Sequence, residues 1–434
     1  MEFTRRSPLD GREGLRLLYV LPMPASPPLG GAQARLHGLM SNLALRHRVT
    51  AVALVDADAD LEATRRAMAA YCADVVLVPN PNGQGRAVKR RLQLRSLVSR
   101  RSFEHHYFAV PALQAALDRV LRREKFDLVD LEFTYLGHLH LRQSPPGMPP
   151  PPLVLGTHEI GSDLVRQVAR SRVSLGRRLY AALNWRKLQR DERELFRAAD
   201  GISVCSVADQ ERLLEHVPGA RTVVVPNAAD VDHYRPRPDD PPPDGRTVVF
   251  FGLLSTFPNI DGVLHFLRDI WPRVVAQRPG TRCRILGARP PESIRRLAGP
   301  GVEIAGFVED LRPHLASAAA LVVPLRVGGG TRLKIVEGMA MGKAIVSTSL
   351  GAEGIEAAPE RDILIADDPE RFAASVVRLL DHPDLAARLG RSARQLAVER
   401  YSWRAAASRL EQFFGEIVAA SAAVAERPRE AVGA

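Results

Sequence analysis

Apolar residues in this chain fall into short continuous runs of strand length, separated by segments whose apolar positions recur at helical spacing. Leu15 to Leu21 (LRLLYVL) is the first run, closed by Pro22 and a Pro/Gly-rich loop that lasts to Gly31. Ala32 to Arg46 carries Leu36, Leu39, Leu43 and Ala44 on one helical stripe, and Val49 to Val55 is again a buried strand, which makes a βαβ unit. Further strands are expected at Val75–Val78, Phe126–Phe133, Leu153–Gly156, Ile202–Cys205 and Thr222–Val225, with helices between most of them. This alternation predicts a mainly parallel sheet.

Between His233 and Gly245 the stretch HYRPRPDDPPPDG suits neither regular element, because proline removes donors and restricts its neighbours. The pattern then restarts with strands at Thr247–Phe251, Cys283–Leu286, Val302–Ala305, Leu321–Pro324 and Ala344–Ser347, and helices from about Asn259 and from Leu333. The expected organisation is a disordered N-terminus (1–14), a Rossmann-like domain (15–235), a linker (236–246) and a second Rossmann-like domain (247–400). A C-terminal helix (401–420) crossing back to the first domain and a frayed tail (421–434) complete it. Two doubly wound domains point their strand ends at a shared crevice. A dehydrogenase is disfavoured, since no G-x-G-x-x-G follows the first strand.

At 434 residues, with 46% hydrophobic and 25% charged positions, the chain holds material for two ordinary cores. No run reaches the roughly 18 to 20 apolar residues of a membrane span, and the start lacks an apolar signal core, so a cytoplasmic protein is expected. Cys72, Cys205 and Cys283 are far apart and read as buried thiols, without metal-site spacing. The net charge of +11 favours anionic partners without choosing among nucleotides, lipid head groups and nucleic acid.

The most informative stretch is Leu321 to Ile355, LVVPLRVGGGTRLKIVEGMAMGKAIVSTSLGAEGI. A buried strand runs into Gly328–Gly330, where missing side chains let backbone amides approach a ligand. Thr331 is the expected N-cap, and Gly342 stands where a helix ends in a left-handed residue. Amides at such a helix start form an anion site. Arg332 and Lys334 in the first turn oppose the helix dipole, at a cost of a few tenths to about 1 kcal/mol, which a bound anion would offset. Glu337 lies on nearly the same face as Lys334, with Leu333, Val336 and Ala340 facing the core. Its carboxylate could take two ribose hydroxyls or simply pair with Lys334.

Together with Gly30 and Gly31, VVPNAADVDHY from Val224 and FFGLLSTFPNIDG from Phe250, this stretch resembles glycosyltransferase family 4, retaining enzymes of the GT-B fold. The resemblance covers nearly the whole chain and implies a nucleotide-sugar donor. In that family two glutamates eight positions apart bracket the donor. Glu337 matches the second, which contacts ribose, while Gly329 occupies the first. Sugar contacts are then expected from the backbone amides of Gly329, Gly330 and Thr331. The family's diphosphate-gripping Arg and Lys, on the loop after the first strand of the second domain, are replaced by Leu253 and roughly Pro258. Arg332 and Lys334 are expected to take over, in a subgroup marked by GGGTR-x-K. Cations and helix amides there would stabilise the departing diphosphate, the main catalytic device.

By the same resemblance His158, in LGTHEIG, faces the donor sugar, and Gly30 and Gly31 bring amides to the donor phosphate or acceptor. A structural histidine and a tight turn are the competing readings. Glu132 and Glu159 are candidate acceptor-side bases, and Asn227 belongs to a turn leading into the interdomain hinge. Arg86 to Arg101 (RAVKRRLQLRSLVSRR) holds seven basic residues and no acidic one, interleaved with Val88, Leu92, Leu94, Leu97 and Val98. Such a helix could lie on an anionic membrane surface, at the inner face of the cell membrane, or be a solvated face. The expected function is a retaining, metal-independent glycosyltransferase without cofactor, using a nucleotide sugar and a glycan, lipid-linked or small-molecule acceptor in cell-surface polysaccharide or glycolipid synthesis. An epimerase or hydrolase of the same fold is the alternative. A nucleic-acid binder ranks below both, because no aromatic interleaving or reading module accompanies the charge.

Overall fold

The computed structural model describes residues 14–28, 30–170, 175–328 and 331–425. Residues 1–13, Gly329, Gly330 and the tail from residue 426 lie outside the described residues.

The first half contains strands β1 (Arg16–Leu21), β2 (Arg48–Asp56), β3 (Asp74–Asn80), β4 (Leu128–Glu132), β5 (Leu153–Gly156), β6 (Gly201–Val204) and β7 (Thr222–Val224). Its helices are α1 (Gly31–Leu43), α2 (Leu61–Ala69), α3 (Gly85–Val98), α4 (Phe103–Phe108), α5 (Pro111–Arg123), α6 (Gly161–Arg170), α7 (Leu175–Ala198) and α8 (Val207–His216). The strands form one parallel sheet in the order β3-β2-β1-β4-β5-β6-β7. Both faces are covered, which is why the strands read as unbroken apolar runs. Leu17, Tyr19 and Leu21 of β1 pack under α1, while Leu18 and Val20 pack with Leu113, Leu117 and Val120 of α5.

The second half has β8 (Thr247–Phe251), β9 (Arg282–Leu286), β10 (Val302–Gly306), β11 (Ala320–Val323), β12 (Ile345–Ser347) and the two-residue β13 (Leu364–Ile365), too short to register as a periodic run. The helices are α9 (Phe257–His265), α10 (Trp271–Gln277), α11 (Glu292–Arg295), α12 (Arg312–Ser317), α13 (Leu333–Ala340), α14 (Pro369–Asp381), α15 (Pro383–Arg400) and α16 (Trp403–Ala425). A second parallel sheet results, ordered β10-β9-β8-β11-β12-β13. These are two Rossmann-like domains, an α/β architecture of the GT-B type.

The chain passes between the sheets twice. Ala229 donates its N–H to Tyr401 O at 2.8 Å, so the outgoing segment after β7 and the returning one before α16 lie side by side. Helix α16 then packs Leu410, Phe413, Phe414 and Ile417 into the first core and runs to Ala425, into the segment expected to fray. Gly38 makes this possible, because a β-carbon there would lie 2.2 Å from the Trp403 ring.

The strand expected to reach Phe133 stops at Glu132. Phe133 has φ 66°, a region that a bulky L-residue adopts only under tertiary constraint, and no periodicity signal reports it.

Candidate functional site

Strand order reverses between β1 and β4 in the first sheet and between β8 and β11 in the second. Ligands of doubly wound sheets bind at the carboxyl ends of such strands. The loops leaving these four strands carry Gly30 and Gly31, Phe133, Gly252–Thr256 and Pro324–Gly328, and they converge across the cleft. A β-carbon on Gly31 would lie 3.3 Å from Leu333 Cδ1, and one on Gly30 3.7 Å from Leu253 Cδ2. The start of α1, whose first amides have no intrahelical acceptor, therefore abuts the start of α13 and the loop after β8.

Helix α13 ends as a Schellman motif. Lys343 N–H donates to Gly338 O and Gly342 N–H to Met339 O, both at 2.9 Å, with Gly342 at φ 64°. Its beginning departs from expectation. Arg332, not Thr331, occupies the N-cap and supplies no side-chain cap. The Thr331 hydroxyl is engaged elsewhere, accepting from Asn227 N–H at 3.1 Å. Burial also extends round the helix to Lys334, Ile335, Gly338 and Met339, beyond the single stripe of Leu333, Val336 and Ala340.

Lys334 is buried, and its ammonium donates to Asn259 Oδ1 at 2.6 Å while lying 4.1 Å from the centre of the Phe250 ring. A β-carbon on Gly252 would meet this nitrogen at 2.9 Å. Lys334 thus places its charge on the loop after β8, where Leu253 and Pro258 supply none. Burial, with the nearby Arg332 charge, pushes the ammonium down to about 7, and Glu337 opposes the shift. Burial pushes Glu337 up to about 8, with Lys334 opposing. No ion pair within 4 Å joins the two among the described residues, so the helix pair that spacing allowed is not formed. Arg332 turns towards the first half. Its guanidinium lies beside the Cα of Gly328 and feels the charges of Glu159, Glu353 and Asp209. Glu159 is pushed up to about 7 by burial, against the pull of Arg332.

A buried chain ties the halves at this point. Arg35 of α1 donates to Asn227 Oδ1 at 3.0 Å, and Asn227 Nδ2 donates to Thr331 O at 2.6 Å. Gln167 of α6 adds a second link, accepting from Gly328 N–H at 2.9 Å and donating to Gly328 O at 3.3 Å.

On the first sheet, His158 Nε2 lies 2.9 Å from Glu132 Oε2, and the ring stacks on Phe133 with centroids 4.0 Å apart. Phe133 is itself stacked on Tyr135, and Tyr135 on Phe108, at 5.6 and 5.2 Å. Gly156 leaves room for the carboxylate, since a β-carbon there would fall 2.3 Å from Glu132 Oε2. Burial lowers the pKa of His158, and the hydrogen bond and charge of Glu132 only partly restore it. Glu132, expected as an acceptor-side base, is thus the partner of His158. Sequence reasoning did not single out Arg35, Asn259 or Phe133. Arg35 had the strongest available signal, a cation one turn into an otherwise apolar helix stripe.

Both halves of the chain match known proteins. The family described as "Glycosyltransferase Family 4" matches residues 29–233, and "Glycosyl transferases group 1" matches residues 245–382. The chain belongs to the family 4, group 1 glycosyltransferases. Among curated relatives of this family, the D-inositol 3-phosphate glycosyltransferase of Thermobispora bispora is 26% identical over 258 residues, 52% of this chain and 58% of that one. The phosphatidyl-myo-inositol mannosyltransferase of Mycobacterium tuberculosis is 29% identical over 218 residues, 47% of this chain and 56% of that one. The chain therefore spans little more than half the length of these relatives. The sucrose-phosphate synthase of Thermosynechococcus elongatus shares the fold with a TM-score of 0.71 at 17% identity, covering 93% of this chain and all of that one. HepE of Anabaena, solved in complex with UDP-glucose, does so at 0.60 and 16%, covering 94% and all of it.

Proposed function

We propose that this protein is a retaining, metal-independent glycosyltransferase that moves a sugar from a nucleotide donor to a glycan, lipid-linked or small-molecule acceptor. The observation that carries the reading is the position of Lys334, whose buried ammonium reaches from α13 to Gly252 on the loop after β8 and to Asn259 in the first turn of α9. A diphosphate lying between the amide-rich starts of α1 and α13 would meet that charge. In a site screened from water, a preorganised cation stabilises the leaving diphosphate more than it could in solvent. Arg332 supplies a second charge on the cleft side, Glu337 takes the ribose hydroxyls, and the amides of Gly329, Gly330 and Thr331 address the sugar. His158 contacts the transferred sugar from the opposite wall. The nucleotide-sugar complex of the HepE neighbour and the glycosyl-transfer names of the curated relatives support the substrate class.

The acceptor side favours a lipid surface. Among the described residues no helix is long and apolar enough to cross a membrane. Helix α3 nevertheless presents exposed Leu94, Leu97 and Val98 among its basic residues, and α7 beside it exposes Leu175, Leu179 and Leu183 at four-residue spacing. Ser96 of α3 and Tyr180 of α7 are joined at 2.8 Å, so the two apolar stripes belong to one basic face suited to anionic head groups. Sedimentation with phosphatidylglycerol vesicles and not with phosphatidylcholine vesicles is the expected result.

Transfer is tested by a nucleotide-sugar panel read by thermal shift, since a bound donor raises stability by mass action. The products and their anomeric configuration are then identified with excess chelator present. Lys334→Ala and Glu337→Ala should both lower donor turnover steeply. Unchanged sugar transfer in both variants would refute the site, and an epimerised or hydrolysed donor without transfer would replace the reaction.

A further inference from the structure

Three features hold the His158 ring in one place. Glu132, itself buried, meets Nε2 at 2.9 Å, and Gly156 leaves the gap that its carboxylate fills. Phe133 lies flat against the imidazole from a backbone conformation, φ 66° and ψ 146°, that costs energy for any side chain larger than hydrogen. The stack continues through Tyr135 to Phe108, so the strained residue is braced from behind. The charged groups acting on the ring are Glu132 from β4 and Arg35 from α1, which oppose one another, and burial disfavours the charged imidazole.

A carboxylate only accepts hydrogen bonds, so the nitrogen facing it carries the proton, and the other ring nitrogen of a neutral imidazole keeps its lone pair. We infer that Glu132 is a positioning residue, braced by Phe133 and Gly156, that fixes His158 in its Nε2–H tautomer and leaves Nδ1 as a hydrogen-bond acceptor for a substrate hydroxyl. The opposite tautomer would present an N–H to that hydroxyl and reverse the direction of the bond. The assignment rests on the transfer reading only for whose hydroxyl is bound.

The test is long-range proton–nitrogen NMR of the full-length protein labelled with 15N-histidine, with the His158 resonances identified by their loss in His158→Asn. A protonated Nε2 and bare Nδ1 are expected, persisting in Glu132→Gln, whose amide carbonyl still accepts, and giving way to a mixture in Glu132→Ala. In transfer assays Glu132→Ala should lose about 10- to 100-fold in kcat, by analogy with partners that orient metal-bound histidines, with donor KM little changed. Glu132→Gln should recover most of the loss. A proton on Nδ1 in the unmodified protein would overturn the inference whatever the activity, as would equal kcat losses in Gln and Ala variants with the tautomer intact. If Nε2–H is found but no nucleotide sugar is turned over, the tautomer stands and the transfer reading falls.

Discussion

Facing each other across the cleft, the two sheet edges reach their chemistry by different routes. On the second sheet the pertinent groups come from one stretch, Gly328 to Glu337, assisted by Gly252 and Asn259. On the first, Arg35, Glu132, Phe133, Gly156 and His158 come from three separate segments, α1 and the ends of β4 and β5. Their electrostatics differ too. Glu132 and His158 satisfy each other before any ligand arrives, whereas Lys334 is driven towards neutrality, with Asn259 and an aromatic face as its partners. One edge is a finished, directional contact. The other holds a cation whose charge an incoming anion would restore.

Lys334→Ala is the sharpest way to break this contrast. Removing a buried charge aimed at a leaving group should lower kcat/KM by about 100- to 1,000-fold, measured with saturating acceptor. Asn259→Ala should do less, because the ammonium remains.

Gly156→Ala attacks the other edge through packing. The new methyl lies 2.3 Å from the Glu132 carboxylate and must displace it, so a loss of about 1–3 kcal/mol in unfolding free energy is expected, read by denaturant titration. Losing His158-dependent activity without losing diphosphate binding would confirm that the edges are separately built.

Asn227→Ala probes the link between them. It strands the buried Arg35 guanidinium and the Thr331 carbonyl, while the backbone N–H of residue 227 still reaches the Thr331 hydroxyl, at about 1–3 kcal/mol for buried donors and acceptors left unmade. Lower thermal stability together with weaker nucleoside diphosphate binding is the expected pair of results. Stability loss alone would make Asn227 a purely structural pin.

The smallest effect concerns pH. With Lys334 at about 7, the free protein is largely unprotonated there at pH 8, and a bound diphosphate favours the protonated form. Binding should therefore take up a proton, and affinity should fall as pH rises through and above 7, by at most about tenfold per unit. Calorimetry in buffers of different ionisation enthalpy measures the uptake. Its absence would place the anion away from Lys334.

Much of the fold was legible because buried parallel strands write continuous apolar runs, because Gly342 ends α13, and because the proline-rich stretch between β7 and β8 holds no helix or strand. The candidate site was legible where it is local: Lys334 and Glu337 fall on one short helix with Arg332 at its N-cap, and spacing alone puts them near one another. Thr331 was misjudged as a cap because its competing partner, Asn227, lies 104 residues away. The pairing of Glu132 with His158 was out of reach of the sequence for the same reason, the imidazole being on the neighbouring strand's loop.

The amino-acid sequence by itself determined two doubly wound sheets and a cationic, glycine-led helix at the second, since each follows from periodicity or from residues close along the chain. Only the tertiary structure decided that Lys334 reaches the loop after β8, that Phe133 bends into a strained conformation against His158, and that Arg35 and Asn227 tie the halves together. Those depend on which distant segments share a strand end, and burial then sets which charges survive there.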